Sequence, residues 1–172
     1  MAANSNTAAL LLSRQLKEIK KNPVEGFSAG LVDEADVFKW QIMIIGPPDT
    51  LYEGGFFKAL MEFPKTYPNM PPTLTFTTPI WHPNVYHNGK VCISILHPPG
   101  DDEWGYEKAS ERWNPVQTIE TILLSVISML SDFNLESPAN VDAAKQYKED
   151  LPAFKKKVAN LVRRSQEEAW EE

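Results

Sequence analysis

The chain has 172 residues, 42% hydrophobic and 23% charged, with a net charge of −6. That length and balance suit a single domain, residues 1–172, with a real core. The acidic excess argues against a nucleic-acid binder, the single cysteine excludes an internal disulfide, and no apolar run approaches the roughly 20 residues that cross a bilayer.

The N-terminus, MAANSNTAALLLSRQL, has no basic stretch ahead of its short apolar run and no evident cleavage site. No signal peptide is expected there. The expected location is the cytoplasm, with the nucleus also open to it. Residues 1–6 are small and polar, and flexibility is expected of them. From about Thr7 to Lys21, Leu12, Leu16 and Ile19 form one apolar stripe at helical spacing, and Arg14, Lys17 and Lys21 point the other way. Asn22-Pro23 ends that helix.

Four strands are expected next, at about 27–32, 37–45, 56–63 and 73–77. In the second, Phe38, Trp40, Ile42 and Ile44 alternate with residues that include Lys39 and Gln41; the third alternates in the same way. Turn signals separate the strands: DEAD at 33–36, GPPD at 46–49 and Gly54-Gly55. Short connections between alternating strands indicate an antiparallel meander. Residues 78–114 show no convincing helix or long strand, yet hold all three histidines, three tryptophans and the only cysteine. Such a segment inside a compact domain is usually functional. Helices are expected at 115–131, dense in apolar residues and therefore central, at about 139–149, and from about Pro152 onward. The order is α+β.

Cys92 admits three readings from residue type and spacing. It is a small buried hydrophobe, a zinc ligand with His82, His87 and His97, or a nucleophile. The even five-residue spacing of those histidines and Cys92 fits no usual zinc cluster and no single helix face.

The residues around Cys92 narrow the choice. HPN at 82–84, followed eight residues later by Cys92 in GKVCISIL, resembles the active-site signature of the ubiquitin-conjugating enzymes (E2). GPPDTLYEGGFF at 46–57, FPKTYPNMPP at 63–72, RWNPVQTI at 112–119 and SPANVDAA at 137–144 stand in the same order as in that family. HPPGDDEWGYEKASE at 97–111 is similar to the acidic insertion of one subclass, and the G1 type is closest, because the chain stops soon after its fourth helix.

The resemblance implies a single ubiquitin-conjugating (UBC) domain. Its Cys92 would accept ubiquitin as a thioester from an activating enzyme, which itself consumes the ATP, and pass it to a lysine. No metal and no cofactor are implied. Sulfur suits a carrier, because its thiolate attacks thioesters readily and the product stays reactive toward amines. Asn84 would stabilise the oxyanion or support the active-site loop. His82 is expected to be a structural hydrogen-bonder. Ser137 stands where many relatives carry Asp, so His97, Asp101 and Asp102 are the first candidates for guiding the incoming lysine. The Arg14, Lys17 and Lys21 face would meet the activating enzyme. Tyr67, Pro68, Asn69, Pro71 and Pro72, with Trp113, Pro115 and Val116, would meet a RING-type ligase. Tyr67-Pro68 is a candidate cis peptide, and Ser28 matches a backside ubiquitin site. The subclass suggests chains of the lysine-48 type, in ubiquitin's own numbering.

Overall fold

A computed structural model describes residues 2–100 and 109–171. The elements are α1 (Ala2–Lys21), β1 (Phe27–Asp33), β2 (Asp36–Ile45), β3 (Phe56–Glu62), β4 (Thr73–Phe76), α2 (Ile119–Ser131), α3 (Val141–Glu149) and α4 (Leu151–Glu171). The strands form one sheet in the order β1-β2-β3-β4, antiparallel throughout, which is the expected meander.

Period-two patterning sets which face is buried. Trp40, Ile42 and Ile44 of β2 point into the core, and so do Phe57, Ala59 and Met61 of β3, which they face across the register. Leu12 and Leu16 of α1, Ile122, Leu123 and Val126 of α2, and Phe154 and Val158 of α4 complete the same cluster. Each such large apolar side chain contributes about 1.5–3 kcal/mol on burial.

The starts of α1, α2 and α3 differ from the sequence-based expectation by two residues or more. α1 starts at Ala2 instead of Thr7, with no Gly or Pro in its first turns to delay it. α2 starts at Ile119 instead of Pro115. Thr118 caps it by accepting from the Thr121 amide, while residues 114–117 form a separate turn closed by Gln117 N–H to Asn114 O, 3.1 Å. α3 starts at Val141 instead of about 139, because Asn140 caps it with a side chain that accepts from the Ala143 amide.

The stretch expected to be irregular carries two one-turn 3₁₀ segments, Ser94–Leu96 and Ala109–Glu111, and a short hairpin. In that hairpin Val85 pairs with Val91, and the Tyr86 N–H donates to Lys90 O at 2.9 Å. The hairpin lies along β4, because the Val91 N–H donates to Leu74 O and the Phe76 N–H to Gly89 O. Gly89 makes the approach possible. It has φ +94°, and a Cβ there would stand 2.1 Å from Phe76 O. The Tyr67-Pro68 bond is cis.

Candidate active site around Cys92

Cys92 follows the hairpin, and its N–H donates to Asn84 O at 2.9 Å. The side chain is half-buried and belongs to the walls of two clefts. The first, about 440 Å³, is polar and runs over the C-terminal part of α2 and the loop after it; Ser128, Asp132, Asn134, Glu136 and Ser137 line it. The second, about 400 Å³, is walled by Pro64, Met70, Pro71, Pro72, Leu96 and Pro98, with Tyr86 at its side. The sulfur therefore stands on a ridge reachable from two directions, and a permanently buried cysteine is ruled out.

His82 is fully buried and supports the site from below. Its Nε2 donates to Met129 O at 2.7 Å, and its Nδ1 accepts from the Asn84 N–H at 2.9 Å. Both nitrogens are used, and the partners dictate the tautomer. Burial pushes the imidazole down to about 4, opposed in part by its bond to the Met129 carbonyl, so it is neutral at physiological pH. With both nitrogens engaged, His82 has none left for zinc. His87 points elsewhere, pairing with Asp142 of α3 at 3.2 Å on the surface.

Asn84 is buried, and its amide grips the loop after α2 from 50 residues away in sequence. Its Nδ2 donates to Asn134 O at 2.8 Å, and its Oδ1 accepts from Asn134 N–H at 3.0 Å. Asn134 N–H can only donate, so the amide orientation follows. Asn84 thus fastens one wall of the polar cleft to the cysteine loop.

His97 closes the ridge at the end of the 3₁₀ turn, with its Nε2 3.5 Å from the Cys92 sulfur. Tyr86 walls the second cleft together with Cys92. Its phenol is pushed up from its ordinary value, first by the sulfur's charge and then by burial. Sequence reading passed over Tyr86. The available signal was the Asn88-Gly89 turn, which folds residue 86 back toward residue 92.

The chain is similar to known proteins along most of its length. A family model described as "Ubiquitin-conjugating enzyme" matches residues 11–162. "Ubiquitin-conjugating enzyme E2 14" of Arabidopsis thaliana is 66% identical over 163 residues, which is 95% of this chain and 98% of that protein. "Probable ubiquitin-conjugating enzyme E2 7" of Caenorhabditis elegans is 65% identical over 161 residues, covering 94% of this chain and 98% of that one. The chain belongs to the ubiquitin-conjugating enzyme family. The solved structure of human ubiquitin-conjugating enzyme E2 G1 aligns with a TM-score of 0.65 at 61% identity, covering 73% of this chain and 95% of that one. The α+β UBC fold and the likeness to the G1 type are both shown.

The remaining expected site residues of this E2 enzyme fall into separate groups. Arg14, Lys17 and Lys21 are exposed on one face of α1. Tyr67 and Trp113 are only 2% and 1% exposed, a correction to their expected place on a docking surface. Their rings pack at a tilt with centroids 5.9 Å apart, and Trp113 Nε1 donates to Pro68 O at 2.8 Å, so they hold the two loops together from inside. Pro72 is buried as well. The outer surface there belongs to Asn69, Met70, Pro115 and Val116, the last 83% exposed. Ser28 is exposed on β1. Asp101 and Asp102 lie outside the described residues.

Proposed function

We propose that this enzyme accepts ubiquitin from the activating enzyme as a thioester on Cys92 and transfers it, with a RING-type ligase, to a lysine, building ubiquitin chains of the lysine-48 type. The observation that carries this reading is the half-buried Cys92 sulfur on a ridge between two clefts, 3.5 Å from His97 Nε2. That layout leaves the sulfur open first to the acyl donor and then, once charged, to the amine. The His97 ring is within reach to take the thiol proton, or that of an arriving lysine.

The polar cleft supports the lysine step. Glu111, Asp132 and Glu136 on its walls give it a negative field that draws an ammonium toward the sulfur. Asp101 and Asp102 of the acidic insertion are assigned to lysine guidance by the family resemblance alone. The basic face of α1 receives the activating enzyme, and the exposed pair Asn69 and Val116 marks the ligase surface. Ser28 is the backside ubiquitin contact, and the enzyme works in the cytoplasm and nucleus.

Incubation with activating enzyme, ubiquitin and ATP, followed by a non-reducing gel, tests the central step. A thiol-sensitive adduct of one ubiquitin is expected, and it should be absent from Cys92→Ala. No adduct with ubiquitin, or an adduct only with a different modifier, overturns the reading. Neutralising Asp101, Asp102 and Glu103 should slow chain building more than charging; equal slowing of both would contradict lysine guidance. Single-lysine ubiquitin variants decide the linkage.

A further inference from the structure

Amine attack on a thioester places a negative charge on the carbonyl oxygen, and a fixed donor for that oxygen lowers the barrier. The residue that family resemblance offers for the task, Asn84, already has its Oδ1 and one Nδ2 hydrogen bound to the Asn134 backbone. A second donor lines the apolar cleft together with the sulfur. We propose that the Tyr86 hydroxyl hydrogen-bonds to the oxyanion formed on the acyl carbon at Cys92. This rests on the reading of Cys92 as the carrier.

The hairpin holds the donor in place. The Tyr86 N–H is tied to Lys90 O, the Gly89 N–H to Tyr86 O, and Val85 pairs with Val91, so residues 86 and 92 come together on the apolar cleft. The Tyr86 ring and the sulfur wall that same cleft. Once the sulfur is acylated it carries no charge, and the carbonyl oxygen lies two bonds away from it. The Tyr86 O–H donates to that oxygen. With the thiolate charge gone, partial burial still holds the phenol above its ordinary value, so it stays protonated at neutral pH and acts as a donor and not as a base.

The electrons balance without a further reactant. The lysine nitrogen lone pair forms the C–N bond, and the carbonyl π pair moves onto oxygen, where the Tyr86 O–H donates to it. That pair then returns and the C–S bond breaks, leaving its electrons on Sγ. The surplus amine proton passes to water in the open polar cleft.

The test uses the full chain charged with ubiquitin and chased with free lysine in a single turnover. Tyr86→Phe keeps the ring and removes only the donor. It should reach the same final amount of adduct but discharge about tenfold more slowly, a smaller loss than the 10²–10³ typical of buried donors because Tyr86 is partly exposed. Tyr86→Ala should be no slower than Tyr86→Phe. Wild-type discharge should also fall at alkaline pH where the phenol ionises, a limb that Tyr86→Phe lacks. Discharge by Tyr86→Phe at the wild-type rate, or a loss confined to Tyr86→Ala, overturns the donor role. Failure of the wild type to form an adduct would instead remove the carrier reading, and this inference with it.

Discussion

Replacing Asn84 by Asp changes almost no volume yet reverses half of the polar grip on the loop after α2. The introduced carboxylate can still accept from Asn134 N–H, but its other oxygen meets Asn134 O, where Nδ2 donated at 2.8 Å. One hydrogen bond is lost, worth about 1 kcal/mol. A charge is also left facing a carbonyl at a position only 4% exposed, which costs a further 1–3 kcal/mol or so. The sum is about 3 kcal/mol at pH 7, or roughly 6–12 °C in Tm for a domain of this size. The sign with pH is opposite to that of a native carboxylate. The folded state disfavours the ionised form, so the group's folded pKa lies above its unfolded value. The deficit is therefore full above the folded pKa and shrinks as pH falls, because the protonated carboxyl can donate to Asn134 O again. Urea unfolding of both proteins from pH 5 to pH 8 measures this. A midpoint equal to the wild type at pH 8, or a gap that widens on acidification, would refute the view that Asn84 acts by gripping Asn134.

Neutral His82, held at about 4 by burial, should cost stability as pH falls from 6.5 toward 4, since the unfolded chain takes up that proton first; His82→Gln should flatten that part of the curve, read by thermal melts. His97→Gln should slow charging of Cys92 about tenfold at pH 7; stopped single-turnover charging checks it, and a rate equal to the wild type would remove His97 from the proton path. Gly89→Ala puts a methyl 2.1 Å from Phe76 O at a φ of +94°, so the hairpin must detach from β4; a loss of about 2 kcal/mol or more in urea, together with faster amide exchange at Val91, is the expected result.

Much of this architecture was legible in local chemistry. The four strands appear within two residues of their expected ends, because alternation in VFKWQIMII and FFKALMEF commits one face of each to the core whatever lies opposite. The helices were legible for the same reason at a different period, and only their first turns moved. Where a helix begins depends on where the preceding loop runs, as Thr118 shows by capping a helix that starts at Ile119 instead of the expected Pro115.

The site was legible only as a list of members. HPN and Cys92 could be recognised side by side, but their jobs depend on partners that chain order does not bring close. His82 is neutral because the fold buries it with Met129, 47 residues on, whose carbonyl takes its Nε2 proton as a hydrogen bond, and Asn84 is a clamp because Asn134 lies across from it. Tyr67 and Trp113 look like surface residues in a linear motif, and packing turns them inward, 45 residues bridged by one indole hydrogen bond to Pro68. Tyr86 comes to share a cleft with the sulfur only through the bend of the hairpin. Side-chain periodicity is a property of neighbours along the chain, whereas exposure, protonation and hydrogen-bond partners arise from whatever the folded chain stacks against them.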